Sequence, residues 1–350
     1  MADGVTIHDV AREAGVSSST VSNLLNGRTG RMQPATRERV EQAIARLGYR
    51  PNPAARQLRT GRNQVIGLVV PSVANPFWGA FAHYLERAAL ADGHHVLLCN
   101  SARDPERERS YLEELWEDGI RDIVLCSSLP SLEHIRHLLD RGLGLVAFDR
   151  TSQADDPPTL VNISVDNVIG AQLATKHLVE LGHRRLGFVS GSLGTVNRIE
   201  RYRGFRSALE QAGLAVDEDM IWTGASDEAL GDLGSAGLGR RAVRELLDRP
   251  EPPTALFAIN DMCALGAYAG IRDAGMVVGW DVSVVGFDDI PLARLLDPGL
   301  TTVRQSLPEM AAAAFRHLRT RYDRDAPRLG QSLLVRPELV VRRSAGPPNR

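Results

Sequence analysis

Apolar residues along this chain follow two rhythms, and the change between them falls near residue 62. Before it they are sparse and spaced by three or four: Val10, Ala11 and Ala14, then Val21, Leu24 and Leu25, then Val40, Ile44 and Leu47. That spacing marks one face of an α-helix, so three short helices are expected. After it come continuous apolar runs of strand length: VIGLVV (65–70), HVLLC (95–99), DIVLC (122–126), LGLVAF (143–148), RLGFVS (185–190), TALFAI (254–259) and VSVVGF (282–287). Helical segments fit between them at about 77–92, 104–118, 131–141, 167–182, 197–212, 239–248 and 260–274. Apolar runs joined by helices mean parallel sheets covered on both faces. The expected fold is therefore α/β: a three-helix head at 1–49, a linker at 50–62 and a two-lobed, doubly wound body at 63–350. Lobe one is expected over about 63–163 plus 292–325, and lobe two over about 164–291 plus 326–343.

Local punctuation sharpens the head. Thr6 can cap the first helix with Asp9 three positions on, and Gly15 can stop it. Ser17 can then cap a second helix, with Thr20 at its third position. Helix, short glycine-containing turn and helix form the helix-turn-helix pattern. On the second helix Ser18, Ser19, Ser22 and Asn23 share the face opposite Val21, Leu24 and Leu25. Four short hydrogen-bonding side chains on one face can enter a DNA major groove and reach base edges; a plain solvated face reads equally well. Pro34 suits the start of the third helix and Gly48 its end.

Charge favours the first reading. The chain has 350 residues and a net charge of −2, but residues 1–62 hold ten arginines against five acids, a balance of +5, leaving −7 on the rest. A basic head on an acidic body fits a polyanionic partner for the head alone.

The stretch YRPNPAARQLRTGR (49–62) can form a helix capped at Asn52 and running to about Leu58. Isolated helices below about 12–15 residues are marginal in water, so it would form only against something else. Leu58 between Arg56 and Arg59 suits an apolar wedge in a DNA minor groove; the alternative is a flexible linker.

The stretches TIHDVAREAGVSSSTVSNLLN, TRERVEQAIARLGYRPNPAARQL and VIGLVVP together resemble the LacI-type family of bacterial transcription regulators. The resemblance spans nearly the whole chain and implies a body of periplasmic-binding-protein type. It further implies that the second helix reads the major groove, with Ser18, Ser19 and Asn23 at base-reading positions. The linker helix would pair with its dimer mate in the minor groove, Leu58 matching the intercalating leucine. The DNA-binding set expected is Thr6, Ser17, Ser18, Ser19, Thr20, Ser22, Asn23, Asn26, Tyr49, Asn52, Ala55, Arg56 and Leu58. Met32 and Gln33 depart from the family's more usual valine and serine.

In a doubly wound body, ligands bind beyond the carboxyl ends of the strands. There the sequence places Phe77 and Trp78, then Asp149 and Arg150, then Asp166 and Asn167, then Thr195, Asn197, Arg198 and Arg201, and finally Asn260, Asp261, Asp288 and Asp289. Aromatic rings with Asp, Asn and Arg converging on them suit a sugar. Bland roles exist for several: Asn260 and Asp166 as helix caps, Asp288 as a turn residue, Phe77 and Trp78 as core. The resemblance makes Phe77, Trp78, Asp149, Arg150, Thr195, Asn197, Arg201, Asn260 and Asp288 the expected effector-binding set. Thr195 stands where purine-binding members carry arginine, which favours a carbohydrate. The stretch 226–239 is longer and more glycine-rich than the family's usual loop.

Other chemistries find little support. The chain lacks GxxxxGK[ST], HExxH and GxSxG, so no enzyme is expected. Cys99, Cys126 and Cys263 form no CxxC, the nine histidines show no ligand spacing, and neither metal nor cofactor is expected. The N-terminus lacks an export signal and no apolar run is long enough to span a bilayer, so a cytoplasmic, membrane-free protein is expected. The partners expected are pseudo-palindromic double-stranded operator DNA, a small-molecule effector of sugar type and a second copy of the chain. No leucine heptad comes after the last strand, so a homodimer is expected.

Overall fold

The computed structural model describes residues 5–25, 29–30, 32–49, 64–224, 234–321 and 332–349. The chain divides into two compact units, Met1–Asn63 and Gln64–Arg350.

The first unit is built from α1 (Ile7–Ala14), α2 (Ser18–Leu25) and α3 (Pro34–Leu47). Thr6 and Asp9 form a reciprocal capping box at the start of α1, and Gly15 ends it at φ 62°. Ser17 Oγ accepts from the Thr20 amide at 3.2 Å and so caps α2. Gly48 closes α3 at φ 60°. Val10, Ala11, Ala14, Val21, Val40 and Ala43 form the core, with Ile7, Leu24, Leu25, Ile44, Leu47 and Tyr49 packed around it. An Arg46–Glu13 ion pair at 2.6 Å joins α3 to α1.

The second unit holds two six-stranded sheets. Lobe one contains β1 (Val65–Val70), β2 (His95–Asn100), β3 (Asp122–Leu125), β4 (Gly144–Phe148), β5 (Val161–Val165) and β11 (Leu333–Val335), in the order β11-β5-β4-β3-β1-β2. Its pairings are all parallel. Around it lie α4 (Pro76–Leu90), α5 (Pro105–Glu117), α6 (Arg136–Asp140) and α11 (Leu307–Thr320). Lobe two contains β6 (Leu186–Val189), β7 (Ile221–Trp222), β8 (Ala255–Ala258), β9 (Ser283–Asp288), β10 (Thr301–Arg304) and β12 (Glu338–Val340), in the order β12-β10-β9-β8-β6-β7. Among the described residues, only the β10–β12 pairing is antiparallel. Its helices are α7 (Asn167–Glu180), α8 (Val196–Gln211), α9 (Ser235–Leu247) and α10 (Asp261–Asp273).

Among the described residues the chain therefore crosses between lobes three times, after β5, after β10 and between β11 and β12. This corrects the expected lobe limits. Residues 292–304 belong to lobe two through β10, and 326–343 is shared, β11 going to lobe one and β12 to lobe two. The reason is chemical. TTVR places fully buried Thr301 and Thr302 in the sheet, so β10 does not read as an apolar run.

Close helix packing shapes lobe two. A Cβ on Gly266 would lie 1.8 Å from the Ala236 carbonyl oxygen, and one on Gly239 would lie 2.0 Å from that of Cys263. Only glycine lets α9 and α10 approach this closely.

Candidate functional site

Two surfaces carry the residues singled out by the sequence. In the first unit, Ser19 and Asn23 are exposed on α2, while Ser18 and Ser22 are half-buried beside them. Val21 is fully buried on the opposite side, so the small polar side chains stand on the outward face of a helix fixed from behind. Ser17 and Thr20 are tied together, their hydroxyl oxygens 3.0 Å apart. Thr6 is held by Asp9, and Tyr49 packs against the three-helix core. Asn26, Asn52, Ala55, Arg56 and Leu58 lie outside the described residues.

In the second unit a cleft opens where the carboxyl ends of both sheets meet. Its walls are Asn75, Phe77, Trp78, Arg103 and Asp149 from lobe one and Asn197, Arg198, Arg201, Ile259, Asn260 and Asp288 from lobe two. They enclose about 290 Å³, its open mouth included. Each residue is delivered by the end of a strand or the start of the next helix. Asn75 caps α4 through the Phe77 amide at 3.1 Å, and Asn260 caps α10 through the Cys263 amide at 2.8 Å. Asp149 comes directly after β4 in the left-handed region, φ 61°, and Asp288 ends β9 at φ 124°. Non-glycine residues held there cluster at functional sites.

Arg201 organises the floor. Its Nε donates to Asn167 Oδ1 at 2.9 Å and its Nη1 to the Ile259 carbonyl at 2.7 Å. Its guanidinium lies over the Phe287 ring at 3.7 Å. Its Nη2 stands 4.0 Å from Asp149 Oδ1 and 3.9 Å from Asp288 Oδ1. Burial pushes both carboxyls above the usual carboxylate range, Asp288 well above it, while Arg201 pulls each back. Gln305, at the crossing after β10, donates to Asp288 at 2.8 Å. Asp149 Oδ2 takes bonds from Ser128 and Asn197, whereas its buried Oδ1 has no hydrogen-bond partner. A buried acceptor without a donor is costly and invites a donor from a ligand.

The two lobes also touch beside the cleft. The Val196 amide of lobe two donates to the Ser128 carbonyl of lobe one at 2.9 Å. Thr151 of lobe one donates to Glu200 of α8, which Asn167 holds from the other side at 3.1 Å.

Comparison with known proteins bears on both surfaces. Residues 6–52 match the model of the "Bacterial regulatory proteins, lacI family", and residues 175–345 that of a periplasmic binding protein-like domain. The HTH-type transcriptional regulator DegA of Bacillus subtilis is 36% identical over 98% of this chain and 99% of its own length. This chain belongs to the LacI family of bacterial regulatory proteins. Among solved structures, the transcriptional regulator CelR–cellobiose complex is 32% identical, covering 97% of this chain and 99% of its own, with a TM-score of 0.70. The lac repressor dimer bound to operator and the anti-inducer ONPF is 27% identical, covering 98% of this chain and 100% of its own, with a TM-score of 0.85.

Within this LacI-family body, seven of the nine expected effector residues line the cleft: Phe77, Trp78, Asp149, Asn197, Arg201, Asn260 and Asp288. Phe77 and Trp78 are also core, 3% and 1% exposed, with rings crossed at 82°. Adjacent positions on a helix point about 100° apart, so they cannot offer one shared face. Arg150 and Thr195 do not line the cleft. Arg150 points away from Asp149, as successive residues at a strand end do, and binds Asp156 at 2.9 Å and the Pro130 carbonyl at 3.0 Å. Thr195, fully buried at the N-cap of α8, donates to Asn197 Oδ1 at 2.6 Å. With that oxygen occupied, the Asn197 amide nitrogen is aimed at Asp149.

Asn75, Arg103 and Ile259 were absent from the expectation, and Arg198 stood near it without being placed in the set. The Asn-Pro pair at 75–76 signals a helix start and could have drawn attention to Asn75. Arg103 carries no such signal: its place depends on a left-handed backbone, φ 55° at both Ala102 and Arg103. Residues 225–233 of the glycine-rich loop lie outside the described residues.

Proposed function

We propose that this LacI-family regulator is a homodimeric, cytoplasmic repressor that binds a pseudo-palindromic operator through α2 and responds to a carbohydrate held in the interlobe cleft. The observation that carries the effector half is the buried Asp149 Oδ1, which accepts no hydrogen bond and lies 4.0 Å from Arg201 of the other lobe, itself 3.9 Å from Asp288. Carboxylates, carboxamides and a guanidinium around a small cleft offer forked hydrogen bonds to neighbouring hydroxyls. The CelR structure, a cellobiose complex, supports the carbohydrate class. The exposed, short-chained face of α2 supports direct reading of bases. Exposed Leu90 and Leu97 near edge strand β2, with Leu292 and Leu295 in lobe two, support a self-association face, as does the dimeric lac repressor structure. The protein acts by binding rather than by catalysis.

A ligand that touches both lobes changes DNA affinity only through its differential affinity for two states of the body. Two heads held at half-site spacing would carry that change to the operator. Selection of bound sequences from a random duplex pool tests the DNA half. Enrichment of one inverted repeat is expected; a pool that gains no sequence would refute it.

A further inference from the structure

Resting on the effector reading above, we infer that Asp261 is a positioning residue of the cleft. With Thr302 of β10 it clamps the turn that ends β9 and so aims the Asp288 carboxyl at the effector. Asp288 and Asp289 are consecutive, and both hold a backbone that side-chain-bearing residues rarely adopt, φ 124° and 53°. Such conformations are costly and persist only where the surroundings impose them. Two donors from different elements meet the Asp261 carboxylate. The Ile290 amide, the first after the turn, donates to Oδ2 at 2.9 Å, and Thr302 Oγ1 donates to Oδ1 at 2.5 Å. The same Thr302 oxygen accepts from the Asp289 amide at 3.4 Å. One carboxylate and one hydroxyl thus tie the backbone of residues 289 and 290 to α10 and β10.

The sequence makes room for this clamp. Gly286 pairs with Thr302 in the β9–β10 ladder, and a Cβ there would lie 2.2 Å from Asp261 Oδ1. Any side chain at 286 would displace the carboxylate, which accounts for a glycine in the middle of a strand. Asp261 itself is fully buried in the first turn of α10. Capping that helix does not require it, because Asn260 already caps α10. Nor does the helix dipole, which favours an acid in a first turn, require one out of water. Burial pushes the Asp261 carboxyl up to about 7 despite the donors from Thr302 and Ile290.

The clamped turn sends its two acids opposite ways. Asp289 is taken by Arg304 at 2.7 Å and by Arg342 at 2.6 Å. Asp288 lines the cleft, where Gln305 donates to it at 2.8 Å and Arg201 stands 3.9 Å away. Release of the turn would let Asp288 rotate away from both.

Thr302→Val deletes the shared hydroxyl at nearly constant shape, and Thr302→Ser restores it. In the full-length protein without ligand, hydrogen–deuterium exchange at Asp289 and Ile290 should quicken at least tenfold in Thr302→Val and return towards the wild type in Thr302→Ser, with β8 unchanged throughout. Calorimetric titration with glucose, galactose, ribose and cellobiose then reads the effect on binding. Whichever sugar binds the wild type should bind Thr302→Val at least tenfold more weakly, with Thr302→Ser recovering most of the loss. In an Asp288→Ala background the same Thr302→Val change should cost less than twofold, because a clamp that acts through Asp288 then has no carboxyl to aim. A loss that persists at full size in that background overturns the inference. So does full affinity in Thr302→Val, or unchanged exchange at 289 and 290. Should none of the four sugars bind, the carbohydrate reading fails, and the exchange result alone decides the clamp.

Discussion

Arg201 and Asp149 face each other across the two lobes, Nη2 to Oδ1 at 4.0 Å, and the same nitrogen lies 3.9 Å from Asp288. One cation from α8 thus answers two carboxylates, one from each sheet. A separation of 4 Å is long for a hydrogen bond yet short enough for strong attraction in a desolvated site. On the proposed function, the arrangement is a prepared site that a ligand hydroxyl tightens.

Removing Arg201 leaves Asp149 and Asp288 without their shared cation. Arg201→Leu should lose effector binding by at least a hundredfold, because Asn167, Ile259 and both carboxylates lose their common partner. Titration of the variant with whichever ligand binds the wild type checks this. Retained affinity would place the effector elsewhere.

Asp288 makes a prediction about pH. Its native carboxyl is held well above the usual range, first by burial, with Asp261 and Asp149 pushing the same way and Arg201 and Gln305 opposing. The native state therefore holds this proton more tightly than the unfolded chain does. Its stabilising contribution is complete below the unfolded carboxylate pKa, about 4, and is lost as pH rises towards the native value. Asp288→Asn removes that loss. The melting-temperature difference, variant minus wild type, should grow from pH 4 to pH 8, while effector affinity falls. A difference independent of pH would mean that Asp288 is not held protonated by the fold.

Much of this site was legible in the sequence because strand ends are legible. Asp149, Asn260 and Asp288 each stand at the end of an apolar run, and the fold delivers residues at those ends to the cleft. Sequence could not tell which way successive residues turn, so Arg150 was grouped with Asp149 although its side chain serves Asp156 and Pro130. Arg103 was invisible because backbone conformation, not composition, delivers it. The lobe limits slipped for a related reason. The strand carrying Thr301 and Thr302 hides among loops, so the second crossing was expected before it rather than after it.

Helix contact in lobe two can be tested apart from ligand binding. Gly266→Ala would put a methyl 1.8 Å from the Ala236 carbonyl oxygen, on backbone that cannot swing aside. Overpacking of this kind should cost more than about 3 kcal/mol, read as a fall in the urea midpoint of the body. An unchanged midpoint would mean that α9 and α10 are not packed as described.

The head separates stability from recognition. Gly15→Ala meets no neighbouring atom within 4 Å, so its cost is the left-handed backbone alone, about 1 kcal/mol. Asn23→Ala, on the exposed face of α2, should leave head stability intact. It should weaken operator binding by about 1–3 kcal/mol while sparing non-specific DNA. Equal losses on both DNAs would make Asn23 a backbone contact instead.

Coupling between cleft and operator is measured by equilibrium titration of the full-length protein onto its selected operator at one fixed salt concentration, with and without a saturating sugar from a panel of mono- and disaccharides. Operator affinity of the wild type should change at least fivefold, and that of Arg201→Leu, normal without ligand, should not change. An operator affinity indifferent to every ligand bound in the cleft, or a response that survives in Arg201→Leu, would contradict an effector-controlled regulator working through this cleft.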